Sequence, residues 1–313
     1  MSPAQPALSV VLVVGEARLR AAAALRSILV QSLADAMEVL VVDCASPEWT
    51  PLPGSDHPNV RVIRQPHGTD FGAARAEGVR QARATVVAFL EEHCIALPGW
   101  AEALARAHEG PWAAVGGEVY NANAGIGFSD AVYLLGYTPW LPPAPRGEAP
   151  SLAAHNSSFK RQVLLEYRDR LPRLLNAEPI LFGMLRAAGQ RLYVEPGAKF
   201  LHFHETRPSA LRAYFWWNCC FGSTRATIFR WPRGKRWLYA LSTPAIPLAR
   251  LARLTLEVLR RRRERLWSLL SNIPAILLVL YVAVAGQALG LVFDPAGAEA
   301  RFSRLELHDD HDR

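Results

Sequence analysis

Thr85-Val86-Val87-Ala88-Phe89-Leu90-Glu91-Glu92-His93 is the stretch on which the fold turns. A short apolar run that is continuous rather than alternating suits a strand buried on both faces. Two carboxylates and an imidazole then follow directly at its carboxyl end. The same grammar recurs upstream in residues 8–14 (LSVVLVV), in residues 38–42 (EVLVV) running into Asp43, and in residues 60–64. Between these runs, Leu19, Ala22, Ala23, Leu25, Ile28 and Leu29 of residues 18–31 are spaced to share a helical face, and residues 71–83 also read as helix. Strands alternating with helices predict an α/β fold: a Rossmann-like, mostly parallel sheet flanked by helices. Such sheets gather ligands at the carboxyl ends of their strands, so Asp43, Glu91, Glu92 and His93 are the first candidates for chemistry.

Farther along, residues 101–108 are expected as a short helix and residues 113–120 as a strand containing Gly116-Gly117. Residues 136–150 carry too many prolines and glycines for regular structure and read as a loop. A helix over 173–188 is expected to be interrupted at Pro179, with short strands at 191–194 and 199–203. Walker A, G-x-G-x-x-G, G-x-S-x-G and zinc-finger patterns are missing from the sequence.

The 313 residues are 50% hydrophobic and 20% charged, with mean hydropathy +0.06. That balance excludes an intrinsically disordered chain and a polytopic membrane protein, and it suits a globular body with one membrane-seeking part. The net charge of +7 is strongest at Arg260, Arg261, Arg262 and Arg263, with Arg265 close by. This cluster precedes residues 268–293, which hold no charged residue and exceed the roughly 20 apolar residues that cross a bilayer. Residues 237–249 are also uncharged but are broken by Pro244 and Pro247; with Arg250 and Arg253 following, they suit an interfacial helix. Tyr214, Phe215, Trp216, Trp217, Trp231 and Trp237 fit either a membrane-interface belt or ordinary packing. A basic cluster beside an apolar segment favours an anionic, cytoplasmic leaflet over nucleic acid, for which no binding module is present. Cys44, Cys94, Cys219 and Cys220 make no disulfide framework in a chain this long. The acidic and histidine-bearing end, His308 to Asp312, reads as a solvated tail.

Four spaced elements together resemble glycosyltransferase family 2, of the GT-A fold and the bacterial membrane-associated type. Val41-Val42-Asp43-Cys44-Ala45-Ser46 is similar to the family's V-V-D-D/N-G-S, and Gly72 to Val79 matches the character of its G-x-x-x-A-R-N-x-G-I. Phe89-Leu90-Glu91-Glu92-His93, followed by Pro98-Gly99-Trp100, looks like a hydrophobic strand ending in D-x-D and then P-x-W. His155-Asn156-Ser157-Ser158-Phe159-Lys160-Arg161, continuing through Glu178, Gly189, Pro196 and His202, is similar to the acceptor-side E-D…G…P…H run.

The resemblance implies an inverting transferase that moves a sugar from a nucleotide-sugar donor to a hydroxyl of a lipid-linked or surface-polysaccharide acceptor. It implies work on the cytoplasmic face of the inner membrane. Asp43, Arg75, Glu91 and Glu92 would bind the donor, and His155 and Asn156 the acceptor. Glu178 would be the general base that takes the acceptor proton. Glu91, His93 and His202 would hold a divalent metal, Mn2+ or Mg2+; the imidazoles favour Mn2+, and Mg2+ prefers oxygen ligands. Residues 1–210 would form the GT-A domain, with a nucleotide-binding half to about 110 and an acceptor half over 111–210. Residues 211–293 would be the helical membrane-associated region and 294–313 a disordered tail. Cys44, Glu91-Glu92-His93 and Ala177 depart from the family pattern, so a second reading is a non-catalytic protein that binds a nucleotide sugar or a synthase partner.

Overall fold

The computed structural model describes residues 5–46, 48, 50–204, 206 and 210–307. In chain order the first elements are β1 (Leu8–Val14), α1 (Arg18–Leu29), β2 (Met37–Asp43), β3 (Val60–Arg64), α2 (Phe71–Gln81) and β4 (Val86–Phe89). Then come β5 (Cys94–Ala96), α3 (Trp100–Ala107), β6 (Ala114–Asn121), α4 (Ser129–Tyr137), β7 (Gly147–Glu148) and β8 (Ser158–Lys160). The chain continues through α5 (Arg161–Leu165), α6 (Leu171–Leu175), α7 (Glu178–Ala187) and β9 (Leu192–His202). It ends in α8 (Ala210–Ile228), α9 (Arg233–Ser242), α10 (Ile246–Arg261), α11 (Leu266–Phe293) and α12 (Ala298–Leu307).

These elements divide into two compact units. The first takes in the described residues to Tyr120, Trp140–His202, and Glu306 with Leu307. The second takes in Asn121–Pro139 and the described residues from Phe203 to Leu305. The expected catalytic domain over 1–210 therefore omits one internal piece. Residues 121–139 leave it because α4 packs on α11, in the second unit.

The first unit is a nine-stranded mixed sheet in the order β3-β2-β1-β4-β8-β6-β9-β5, with β7 also paired to β9. Its β3-β2-β1-β4 half is parallel. Every residue of β1, β2 and β4 is buried, as strands covered on both faces require. The register sets Val14 beside Asp43, so the ends of β1 and β2 open at the same level. Antiparallel β8 continues the sheet from β4, and antiparallel β5 pairs with β9. On the α/β half, Asp70 caps α2 by accepting from the Ala73 N–H at 2.8 Å. Gly78 lets that helix lie on β1, where an added Cβ would stand 2.5 Å from Val11 Cγ1.

Local details differ from the sequence reading for identifiable reasons. The buried stripe of α1 is Ala21, Ala22, Ala24, Leu25 and Ile28, whereas Leu19 is exposed and Ala23 faces solvent. Pro179 does not interrupt a helix; it sits in the first turn of α7, where the missing N–H costs nothing, and the break falls before it at Asn176 and Ala177. The two short strands expected at 191–203 are one strand, β9, which pairs with β7 before Pro196-Gly197 and with β5 after it; between them Glu195 Oε1 accepts the Gly197 N–H at 2.8 Å. The loop expected over 136–150 contains the end of α4 and the short strand β7.

In the second unit α8 packs along α11 through glycines. A Cβ on Gly286 would meet the Phe215 carbonyl oxygen at 2.1 Å, and one on Gly290 the Cys219 carbonyl oxygen at 2.0 Å. Gly286-x-x-x-Gly290 is thus the spacing that lets two helix backbones approach closely. Helix α11 has 28 residues, about 42 Å at 1.5 Å per residue, against a hydrocarbon thickness of about 30 Å. Its segment is the one helix among the described residues long and apolar enough to cross a membrane. Residues 298–307 of the expected disordered tail instead form α12, because Phe302, Leu305 and Leu307 are buried. His308 to Asp312 lie outside the described residues.

Candidate metal centre and donor site

Glu91 leaves β4 at its carboxyl end and is buried. The next short strand, β5, pairs with the end of β9 so that Cys94 lies opposite His202. That register carries His202, more than a hundred residues away in sequence, to the exit of β4. The ligand atoms of Glu91, His93, Cys94 and His202 all lie within 4.8 Å of one another. His202 Nε2 is 3.4 Å and His93 Nε2 3.7 Å from Glu91 Oε2, and the two imidazoles meet edge-on with centroids 4.7 Å apart. The structure therefore brings Glu91, His93 and His202 together, and it adds Cys94, which the sequence reading did not include.

His155 and Asn156 lie on this same carboxylate. His155 Nδ1 is 2.9 Å from Glu91 Oε1, the Asn156 amide donates to Glu91 Oε2, and Asn156 Oδ1 accepts the Glu91 backbone N–H at 3.0 Å. Both residues expected on the acceptor side are thus partners of Glu91. Burial opposes the Glu91 charge, but the surrounding imidazoles of His93, His155 and His202 hold its carboxyl well below the usual carboxylate range. Burial pushes the Cys94 thiol up, and the Glu91 charge pushes it further.

Glu178 begins α7 and is fully buried. Its Oε1 accepts from the Arg75 guanidinium at 2.9 Å, and its Oε2 accepts the His155 backbone N–H. His155 has φ +68°, a left-handed conformation that is unusual for a residue with a Cβ; the Glu178 carboxylate holds it there. Arg75 is buried as well. It donates to the Leu175 carbonyl at 2.6 Å and lies 4.0 Å above the Phe89 ring. Arg75 and Glu178, expected on opposite sides of a reaction, form one buried ion pair.

Asp43 and Glu92 occupy the ends of β2 and β4. Asp43 accepts a bidentate pair from Arg18 at 3.1 and 2.8 Å and the Ala45 N–H at 3.1 Å, with Arg64 3.4 Å away. Glu92 turns toward β1, accepting the Gly15 N–H and the Arg20 guanidinium, each at 2.9 Å. Burial raises its carboxyl above the ordinary value despite those partners. Arg18 and Arg20 went unnoticed in the sequence because they open an ordinary amphipathic helix; only the position of that helix past β1 gives them carboxylates to meet.

A strand-end carboxylate backed by histidines on a mixed α/β sheet is the arrangement the four motifs implied. The glycosyl transferase family 2 model matches residues 9–168, just over half of the chain. The chain belongs to glycosyltransferase family 2. The family-2 region takes in Asp43, Arg75, Glu91, Glu92, His93, His155 and Asn156, and ends before Glu178 and His202. No curated protein sequence matches the chain. Among solved structures, the mannosyltransferase PcManGT from Pyrobaculum calidifontis, in complex with GDP-Man and Mn2+, is similar at 16% identity and TM-score 0.58, covering 90% of this chain and 87% of that one. GalNAc-T7 with UDP, GalNAc and Mn2+ is similar at 16% identity and TM-score 0.51, covering 63% of this chain. The match spans 43% of the GalNAc-T7 chain, and at this identity both likenesses speak for the GT-A fold.

Proposed function

We propose that this family-2 chain is a metal-dependent, inverting glycosyltransferase. It moves a sugar from a nucleotide-sugar donor to a hydroxyl of a lipid-linked or surface-polysaccharide acceptor at the cytoplasmic face of the inner membrane. The observation that carries the reading is the buried Glu91, His93, Cys94 and His202 group at the carboxyl end of β4. One carboxylate and two imidazoles fit a divalent cation such as Mn2+ better than Mg2+, which demands oxygen ligands more strictly. Glu91, His93 and His202 would hold the cation, and Cys94 stands within reach. When bound, the cation supplies positive charge against the diphosphate that leaves the sugar. The two similar structures, each with Mn2+ and a nucleotide or nucleotide sugar, support this reading.

The chain's own residues then divide the work. His155 and Asn156 hold the Glu91 carboxylate in one orientation. Asp43 anchors the guanidinium groups of Arg18 and Arg64 at the mouth of β1 and β2, where planar donors can meet a nucleotide's phosphates. Glu178 has two possible duties. As a general base it would take the acceptor proton; as a positioning residue it holds His155 and Arg75. Its burial, and the engagement of both its oxygens, favour positioning. Helix α11, with the arginine cluster before it and exposed Trp237, Leu241, Leu248, Trp267 and Leu270, supports a membrane setting in which a lipid-borne acceptor is concentrated.

The test is turnover of a panel of UDP-, GDP- and dTDP-sugars by the detergent-purified chain, with Mn2+ or with EDTA. Mn2+-dependent release of a nucleoside diphosphate is expected, and NMR of the product reports the anomeric configuration. Binding without turnover would favour the non-catalytic reading, and neither binding nor turnover across the panel would overturn the proposal.

A further inference from the structure

The last described residues return to the first unit. Leu307 ends α12, and its carbonyl accepts the Glu16 backbone N–H at 2.8 Å. That contact needs glycine at position 15, where a Cβ would stand 1.9 Å from the Leu307 oxygen. The N–H of Gly15 in turn binds Glu92 at 2.9 Å. The end of α12 is therefore keyed against the loop that leaves β1, beside the exit of β4. One residue earlier, Glu306 is mostly buried, and its Oε1 lies 3.7 Å from His93 Nδ1. The other nitrogen of the same ring, Nε2, faces Glu91 at 3.7 Å. His93 is thus strung between two carboxylates, one inside the metal group and one outside it.

A carboxylate beside one imidazole nitrogen favours the proton there and turns the lone pair of the other nitrogen toward a cation. It also fixes the ring plane. We propose that Glu306 is a positioning residue for His93, so that the candidate metal centre at the β4 exit is completed from the C-terminal helix. The inference rests on the reading that Glu91, His93 and His202 hold a divalent cation. It extends that reading to a residue well outside the family-2 match. Glu306 acts through His93 and is not itself a ligand.

Mn2+ titration of the full-length, donor-free protein, followed by the electron paramagnetic resonance of the free ion, is the test. Glu306→Ala is expected to weaken Mn2+ binding by about 10- to 100-fold, as loss of an outer-sphere partner does, with Glu306→Gln falling between it and the parent. In a His93→Ala background, Glu306→Ala should change Mn2+ affinity less than twofold. Thermal unfolding in EDTA guards against a general loss of structure, and Gly15→Ala, which displaces the Leu307 carbonyl and with it the neighbouring Glu306 carboxylate, gives a second perturbation expected to weaken Mn2+ binding. Co2+ absorption of Glu306→Gln should keep the band pattern of the parent, since the ligand set is intact. A changed pattern makes Glu306 a direct ligand and overturns the positioning role. Equal Mn2+ affinity of parent and Glu306→Ala overturns the proposal alone, whereas failure of the parent to bind Mn2+ overturns the metal reading beneath it.

Discussion

Replacing either member of the Arg75–Glu178 pair tests how the interior of the site is held. The charged groups are 2.9 Å apart with side-chain exposures of 2% and 0%. At an effective dielectric constant of 20, unit charges at that distance attract by about 6 kcal/mol before the cost of removing both from water. That cost cancels much of the gain in the intact pair. Removing one partner leaves the other charge buried and uncompensated, typically a loss of about 3–5 kcal/mol. Arg75→Met is the cleaner change because it keeps an apolar stem over the Phe89 ring, which the guanidinium covers at 4.0 Å. Glu178→Gln keeps an acceptor for the His155 N–H. Each single variant should therefore lose about 3–5 kcal/mol in urea unfolding, with a melting point lower by roughly 6–20 °C. The double variant should lose at least about 2 kcal/mol less than the sum, because neither charge is then stranded. A coupling below about 0.5 kcal/mol would refute the reasoning. The same series separates the two duties of Glu178. A general base lost to glutamine leaves the folded variant without turnover, whereas a positioning residue lost to glutamine leaves part of the turnover in the protein that stays folded.

Three further outcomes are expected. Burial, with Lys160 nearby, pushes the His108 imidazole down to about 3, and its Nε2 lies 2.9 Å from Ser158 Oγ. Between about 6.5, the value in the unfolded chain, and about 3 the unfolded state binds the extra proton, so His108 erodes stability by up to about 1.4 kcal/mol per pH unit as pH falls. His108→Gln should flatten that part of the pH–stability curve, and an unchanged slope counts against the assignment. Gly290→Ala should cost about 1–3 kcal/mol in detergent, because its Cβ would sit 2.0 Å from the Cys219 backbone oxygen; a melting point equal to the parent's would contradict the α8–α11 packing. Glu91→Gln and His202→Ala should each abolish Mn2+ binding measured by paramagnetic resonance, while Glu92→Gln, whose carboxylate serves Arg20 and Gly15, should retain it. Equal loss in all three variants would remove the distinction drawn between the neighbouring carboxylates.

The amino-acid sequence by itself determined the parallel half of the sheet. Residues 8–14, 38–42 and 85–90 are apolar on both faces, and only strands covered on both sides bury such runs. It also placed Asp43 and Glu91 at strand ends, since an acid that directly follows a buried run marks where the strand leaves the core. The long apolar helix was legible for a similar reason, because residues 268–293 have no charge to place in water. The tertiary structure alone decided how the acids and histidines are partnered. The family resemblance could set Arg75 among donor-binding residues and Glu178 among bases, yet packing α2 against α6, which leads directly into α7, buries both and makes each the other's counter-ion. His155 and Asn156 came to Glu91 because β8 pairs with β4, a contact between strands about seventy residues apart in the chain. Glu306 has no local pattern that marks it. Its approach to His93 depends on where the C-terminal helix ends and on the absence of a side chain at Gly15, and such long-range coincidences are set by packing rather than by periodicity.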